Sequence, residues 1–123
     1  QRLEELIDEN VDFLVAEDRS AGPINTGVFL VRNCPAAIQM LRLAYGKVEF
    51  LDHPCWEQPA VAEAMRECSE TLRSRVVSRR RFNSFFDEYQ EGDFIIHFAG
   101  CKHELKLAGV KGVISRMGRW KKT

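Results

Sequence analysis

Two short apolar runs with a turn-rich segment between them constrain the fold of this chain more than any other feature. The first run covers residues 11–16, and the second, rich in β-branched residues, covers residues 24–31. Each run is too short for an independent helix, so both are predicted to be strands. Residues 17–23 between them include acidic residues, Gly and Pro, which favour a turn. The sequence therefore predicts two consecutive strands near its N-terminus.

Helical periodicity replaces the strand pattern after Asn33. Pro35 suits a first helical turn, and apolar residues recur at helical spacing until Gly46 ends the element. The same reasoning predicts a short helix at 2–9, a helix at 56–75, strands at 76–83 and 94–99, and a closing helix at 105–120. Gly109, Gly112 and Gly118 weaken that last helix. This order predicts an α/β layered structure with a mixed sheet and flanking helices.

Composition and charge exclude several classes of protein. The chain has 123 residues, 45% of them hydrophobic, which fits one globular domain rather than disorder. Its 18 basic and 18 acidic residues balance, so net charge does not favour nucleic acid or an anionic membrane. No apolar stretch is long enough to span a bilayer. Residues 1–18 nevertheless carry seven acids and one base, and residues 102–123 carry seven bases and one acid, so an anionic ligand is expected towards the C-terminal end.

The most informative local pattern is residues 97–102 (HFAGCK), which follow an apolar predicted strand. Polar groups at such a position lie at the sheet edge where α/β folds bind ligands. His97 could ligate Mn²⁺, Gly100 would let the backbone approach a phosphate, and Lys102 would supply positive charge. The alternative is a half-buried histidine with a backbone partner, followed by an ordinary solvated lysine.

Two further polar pairs suit a sugar ligand. Asn25 and Thr26 open the second predicted strand, where an amide and a hydroxyl can hydrogen-bond a sugar, or can satisfy a turn beside a bulge at Gly27. Glu57 and Gln58 lie at a predicted helix N-terminus. There Gln58 could orient a substrate hydroxyl while Glu57 accepts hydrogen bonds, or Glu57 could be a first-turn acid favoured by the helix dipole.

An arginine run suggests a different ligand. Residues 79–81 are all arginine and precede Phe82, Phe85 and Phe86, which superficially suggests a nucleic-acid patch. Aromatic residues in this arrangement are more often core, and neither RNA-binding nor zinc-finger spacing is present. Nucleic acid is therefore not predicted as a partner.

A zinc site is a second alternative. His53 with Cys55, and Cys101 with His103, offer two pairs of potential ligands, although their spacing is unlike that of common structural zinc sites.

Four segments, taken in chain order, resemble a known enzyme family. They are residues 24–33 (INTGVFLVRN), 56–58 (WEQ), 81–83 (RFN) and 92–102 (GDFIIHFAGCK). The set resembles the C-terminal half of a GT-A glycosyltransferase, closest to glycosyltransferase family thirty-four, which includes galactosyl, mannosyl and xylosyl transferases. The resemblance covers residues 1–104.

The resemblance implies a retaining transferase of glycan biosynthesis. A hexosyl or pentosyl unit would move from a nucleotide-sugar donor, expected to be a UDP-sugar, to a glycan acceptor, with Mn²⁺ bridging the donor diphosphate. The family pattern assigns the following roles: His97 as a metal ligand; Gly100 and Lys102 as diphosphate contacts; Gln58 and Glu57 as the catalytic pair beside the transferred sugar; and Asn25, Thr26 and Asn83 as substrate-binding residues.

Two features depart from the family pattern. Its acidic pair is usually Asp-Gln, whereas this chain has Glu57 and Gln58 followed by Pro59. The Asp-x-Asp metal motif and the nucleotide-binding half are absent. We therefore expect residues 1–123 to form one partial domain, the acceptor-side half, inactive alone and with residues 11–16 at an exposed sheet edge. The alternative is a non-catalytic carbohydrate-binding or scaffolding module of the same fold.

Overall fold

A three-stranded mixed sheet forms the centre of the molecule. The structure is a computed structural model that describes residues 2–19 and 22–120, with side chains described as far as residue 115. Strand β1 (Phe13–Ala16) lies between β2 (Asn25–Val31), to which it is antiparallel, and β3 (Ser74–Val77), to which it is parallel. The predicted α/β class with a mixed sheet is confirmed.

Both faces of β1 are covered because its side chains alternate between them. Phe13 and Val15, both fully buried, lie in the larger core cluster with residues from α1 (Pro35–Gly46) and α2 (Gln58–Glu67). Leu14 belongs to a smaller cluster on the opposite face. The members of that smaller cluster are Leu6, Leu14, Ala16 and Phe82. The central strand is thus the most buried element of the sheet.

An irregularity in the β1–β2 ladder shapes the end of the sheet. Val15 pairs with Phe29, but the next residue, Ala16, pairs with Asn25. Three residues of β2 are therefore left out of the register between these pairs. A bulge of this kind bends the strand and redirects its side chains, and it falls where Thr26 and Gly27 lie.

The C-terminal half adds a small second sheet and a long helix. A short helix α3 (Arg79–Phe82) precedes β4 (Ser84–Phe85), which pairs in parallel with β5 (Ile96–His97). Helix α4 (His103–Trp120) follows. Two 3₁₀ turns, Leu3–Leu6 and Val48–Phe50, complete the elements of the described residues. None of these helices is long and apolar enough to cross a membrane.

Several predicted elements were wrong in extent or type. The helix predicted at 2–9 is only a 3₁₀ turn, and the helix predicted at 56–75 ends at Glu67. The strand predicted through 76–83 stops at Val77, because residues 79–82 form α3. Of the strand predicted at 94–99, only residues 96–97 pair. Residues 13–16 form the central strand, so the prediction of an exposed edge at 11–16 was wrong.

An ion pair between the buried carboxylate of Asp12 and the exposed side chain of Arg73 fixes the chain just before β1. Asp12 is 4% exposed, and its carboxylate accepts hydrogen bonds from Nη2 of Arg73 at 2.6 Å and from the backbone N–H of Arg73 at 3.1 Å. The side-chain hydrogen bond from Arg73 is the main cause that lowers the pKa of Asp12 to about 2. This pair ties the entry of β1 to the residue that precedes β3.

Candidate active site

Polar side chains from four parts of the chain meet at the carboxyl end of β1. Because β2 is antiparallel to β1, its first residue, Asn25, lies beside Ala16 at the end of β1. Asp18 follows β1, and Gln58 begins α2. Ligands of α/β folds bind beyond the carboxyl ends of strands, so this edge is the candidate active site.

The side-chain amide of Gln58 is held at both ends. Its Nε2 donates to Oδ2 of Asp18 at 3.0 Å, and its Oε1 accepts from the backbone N–H of Thr26 at 3.2 Å. An amide that donates at one end and accepts at the other has a defined orientation. Gln58 is half-buried, so its remaining hydrogen-bonding capacity lies at the boundary with solvent.

Glu57 lies beside this amide at the N-cap of α2. The hydroxyl of Thr26 donates to Oε1 of Glu57. Thr26 is 6% exposed whereas Glu57 is exposed, so a buried hydroxyl positions a solvent-facing carboxylate. Thr26 therefore holds both members of the Glu57-Gln58 pair, one through its hydroxyl and one through its backbone.

A buried pair of asparagines supports the network from beneath. Oδ1 of Asn25 accepts from Nδ2 of Asn83 at 2.9 Å and from the backbone N–H of Gly27 at 3.0 Å, and its Nδ2 lies 3.4 Å from Oδ2 of Asp18. Asn83 is fully buried, and its Oδ1 has no hydrogen-bond partner among the described residues. Asn83 thus contacts the site through Asn25.

The imidazole of His97 lies against the bulge of β2. It stacks on Phe85 with ring centroids 5.6 Å apart, and a Cβ added at Gly27 would lie 2.3 Å from its Cε1. Its Nδ1 is buried and has no hydrogen-bond partner in the part of the chain that the structure describes. Burial lowers the pKa of His97; Asp18 opposes this shift and Lys106 adds to it. Burial therefore favours the neutral form of the ring, which is the form that ligates a metal.

A metal ion fits this arrangement only in part. His97 offers a neutral imidazole with one unpartnered ring nitrogen, which suits a ligand to Mn²⁺. Within the described residues, however, no group of three or more His, Cys, Asp and Glu side chains could hold a metal ion. This chain could thus supply His97 as one ligand, and further ligands would have to come from elsewhere.

Gly100 and Lys102 lie in the loop between His97 and α4. Gly100 has a φ of +65°, a backbone conformation that favours glycine, and Lys102 is exposed next to the first residue of α4. Lys106, one turn into α4, is close enough to His97 to affect its pKa. Lys106 therefore lies on the side of the site that carries His97, whereas Lys102 is placed only by its position just before α4.

The structure gives little support to the two alternative sites, the nucleic-acid patch at residues 79–81 and the zinc site. Arg79 pairs with Glu88 at 2.5 Å and Arg80 with Asp93 at 3.1 Å, so these charges are largely neutralised. Phe82 is fully buried, as a core residue would be. For zinc, the described residues contain no cluster of three ligands.

Three residues of the site were not predicted from the sequence: Asp18, Phe85 and Lys106. A signal for Asp18 exists, since it is a carboxylate directly after an apolar strand, and such positions face ligand sites. Phe85 stacks against His97 and also lies under the guanidinium of Arg19, whose Cζ is 4.6 Å from the centroid of the Phe85 ring. No sequence signal marks that stacking.

Comparison with known proteins identifies the family. Residues 4–108 match the galactosyl transferase GMA12/MNN10 family. The probable alpha-1,2-galactosyltransferase gmh2 of Schizosaccharomyces pombe is 30% identical over 112 residues, covering 76% of this chain and 28% of that protein. The probable alpha-1,2-galactosyltransferase gmh1 of the same yeast is 29% identical over 110 residues, covering 81% of this chain and 32% of that protein.

The chain thus spans less than a third of the length of these two relatives. No solved structure matches it significantly. The family match, in contrast, extends over most of the chain and confirms the predicted family. This chain belongs to the galactosyl transferase GMA12/MNN10 family, which is glycosyltransferase family thirty-four.

Proposed function

We propose that the full-length protein transfers galactose from a UDP-sugar to a glycan acceptor with retention of configuration, and that this chain is the acceptor-side half of a GT-A fold. Both relatives described above are named alpha-1,2-galactosyltransferases. Galactose is α-linked in its nucleotide sugar, so an α-linked product implies retention. The mixed α/β sheet is compatible with this fold.

The observation that carries the proposal is the fixed amide of Gln58. One N–H of the amide and one lone pair of its oxygen are used in hydrogen bonds to Asp18 and Thr26. The second N–H and the second lone pair remain for a ligand. A donor and an acceptor in a fixed orientation suit neighbouring sugar hydroxyls. The exposed carboxylate of Glu57 adds an acceptor for a third hydroxyl. Preorganised polar groups of this kind position a substrate without reorganisation during the reaction.

The diphosphate of the donor would bind on the opposite side of the site. Gly100 and Lys102 precede the N-terminus of α4, where free backbone N–H groups and the helix dipole favour a phosphate. Lys106 adds positive charge to the same side. Mn²⁺, when bound, would neutralise the diphosphate, and His97 is the residue of this chain that would hold it.

The transfer step needs no strong protein base. In a front-face displacement, the acceptor hydroxyl oxygen forms a bond to the anomeric carbon as the bond from that carbon to the phosphate oxygen breaks. The hydroxyl proton passes to the leaving phosphate oxygen. Lys102 stabilises the negative charge that develops on this leaving group. Gln58 and Glu57 hold the sugar in position, and Asn25, Thr26 and Asn83 line or support its pocket.

The test compares Gln58→Ala with Gln39→Ala, an exposed glutamine on α1, in the full-length protein. We expect Gln58→Ala to lower kcat more than tenfold, about 1.4 kcal/mol of barrier, with a small change in Tm, and Gln39→Ala to change neither. Equal losses of stability and rate would make Gln58 a structural residue only. Sugar binding without turnover by the unmodified protein would favour the non-catalytic carbohydrate-binding module.

A further inference from the structure

An exposed tryptophan in a constrained backbone conformation lies next to the site. Trp56 immediately precedes Glu57 and has a φ of +52°, and it is the one non-glycine residue with a positive φ within residues 2–19 and 22–120. A left-handed conformation is unfavourable for a bulky side chain because its Cβ crowds the backbone. Outliers of this kind persist only where the surrounding structure fixes them, and they concentrate at functional sites.

Hydrogen bonds on both sides of Trp56 fix this conformation. Its own N–H donates to the carbonyl of His53 at 2.8 Å, and the N–H of Gln58 donates to the carbonyl of Cys55 at 3.2 Å. The N–H of Cys55 donates in turn to Nδ1 of His53 at 3.0 Å. The loop is therefore a set of tight turns that presents residue 56 in one orientation.

The indole of Trp56 gains little from packing within the described part of the chain. The residue is 77% exposed, whereas tryptophan is highly buried in most proteins. Its large apolar surface contributes to stability only when it is covered. The left-handed backbone of Trp56 and its exposed indole both lower the stability of the fold. Since neither contributes to folding, they point to a role in binding.

The position of Trp56 in the chain indicates the kind of ligand. Trp56 directly precedes Glu57 and Gln58. Because consecutive Cα atoms are about 3.8 Å apart, its Cα lies within about 8 Å of the Cα atoms of both residues. A pyranose ring has an apolar face of C–H groups and a rim of hydroxyls. A flat aromatic surface beside fixed hydrogen-bonding groups matches both parts of such a ligand.

We propose that Trp56 is the platform on which a pyranose ring of the glycan acceptor stacks, while Glu57 and Gln58 bind hydroxyls of the reacting sugars. This inference rests on the proposed function. The acceptor is favoured over the donor because the proposed function assigns the diphosphate end of the donor to Gly100 and Lys102, and because an acceptor glycan extends into solvent, where the indole is exposed.

The experiment measures acceptor binding and catalysis separately in the full-length protein. Trp56→Ala, Trp56→Phe and Trp56→Gly are compared with Leu51→Ala, an apolar residue of the same loop that is 78% exposed. We expect Trp56→Ala to raise the KM for the acceptor at least tenfold, Trp56→Phe to raise it less, and Leu51→Ala to leave it unchanged. The KM for the donor and the rate of donor hydrolysis without acceptor are expected to stay within twofold of the original values.

Trp56→Gly separates binding from folding. Glycine relieves the left-handed backbone, so this variant is expected to have a higher Tm than Trp56→Ala while losing acceptor affinity to the same extent. An acceptor KM unchanged in Trp56→Ala would overturn the proposal. A lower Tm in all Trp56 variants, with unchanged acceptor KM, would overturn it too and would show that another part of the protein covers the ring.

A binding measurement separates this inference from the proposed function. In a Trp120→Phe background, Trp56 is the remaining tryptophan of this chain. Its fluorescence is followed during titration with an α-linked galactose or mannose oligosaccharide. The Trp56→Phe protein provides the baseline. A saturable change absent from the Trp56→Phe protein supports the platform even if no transfer is detected. Active enzyme without that change would refute the platform and leave the transferase proposal intact.

Discussion

Nε2 of Gln58 lies 3.0 Å from Oδ2 of Asp18 and donates a hydrogen bond to it across 40 positions of sequence. The same carboxylate accepts from the backbone N–H of Arg19, and its Oδ2 also lies 3.4 Å from Nδ2 of Asn25. Asp18 thus accepts hydrogen bonds from protein groups, one of which is the amide of Gln58. We infer that it is a positioning residue.

We expect Asp18→Asn to lower kcat about tenfold, about 1.4 kcal/mol of barrier. Asparagine keeps the size of the side chain but replaces one acceptor oxygen with an amide donor that faces the amides of Gln58 and Asn25. Steady-state kinetics of Asp18→Asn beside Asp52→Asn, an exposed carboxylate, provide the measurement. A kcat equal to that of the Asp52 variant would remove Asp18 from the site.

The local elements could be predicted from the sequence, but their assembly could not. The two apolar runs predicted β1 and β2, and Pro35 and Gly46 predicted the two ends of α1, as the structure confirms. The edge position given to residues 11–16 was wrong because strand order depends on pairing with β3, some 60 residues away. No local pattern in β1 shows that pairing.

Only part of the candidate site could be predicted, because its contacts also join residues that are far apart in the sequence. Gln58 and Thr26 were chosen from separate segments, and the structure brings them into contact. Asp18 was read only as part of a turn. Its contact with Gln58 depends on where α2 packs, and the bulge that places Thr26 exists only in the paired strands. The assigned roles of these residues remain predictions.

The Asp12–Arg73 pair predicts how stability depends on pH. The pKa of Asp12 falls from its usual 3.8 to about 2 in the folded state, chiefly because of the hydrogen bond from Arg73. A depressed carboxyl pKa stabilises the fold above the unfolded-state pKa, and this stabilisation is lost as the pH falls from about 4 through about 2. In urea unfolding, Asp12→Asn is expected to be less stable than the original protein at pH 6, with the difference shrinking as the pH approaches 2. A difference that does not change with pH would contradict this role, and Asp52→Asn is the control.

Two glycines of α4 are expected to respond oppositely to alanine. A Cβ at Gly109 would lie 2.5 Å from Cε1 of Phe98 and 2.9 Å from Cε2 of Phe86, whose rings stack with centroids 4.9 Å apart. A Cβ at Gly112 would meet nothing within 4 Å among the described residues. Gly109 therefore permits close packing of the helix on the stacked phenylalanines. Gly109→Ala should destabilise the protein by about 1–3 kcal/mol, and Gly112→Ala should stabilise it by up to about 1 kcal/mol. Urea unfolding measures both, and effects of the same sign would contradict the packing of α4.

His97 and Lys102 are expected to give separable phenotypes. His97→Ala removes a nitrogen ligand, so it should raise the Mn²⁺ concentration needed for half-maximal activity at least tenfold. Lys102→Ala removes charge beside the diphosphate, so it should weaken nucleoside-diphosphate binding with less effect on the metal requirement. Calorimetry with Mn²⁺ and with the nucleoside diphosphate tests both, with the exposed Lys111→Ala as the control. Unaltered Mn²⁺ affinity in His97→Ala would leave His97 as a half-buried core histidine.

Gly27→Ala tests whether the bulge of β2 sets the position of His97. The added Cβ would lie 2.3 Å from Cε1 and 2.8 Å from Nε2 of His97, far inside normal contact, so the imidazole would have to move from its stack on Phe85. Because a displacement of about 1 Å in a positioned group can cost 10²-fold in rate, we expect kcat/KM to fall at least tenfold. Gly46→Ala, where a Cβ meets nothing within 4 Å, is the matched control and should retain activity. If Gly27→Ala lowers Tm but retains the kcat/KM of the control, the position of the imidazole is irrelevant to turnover, and the assignment of His97 to the site is wrong.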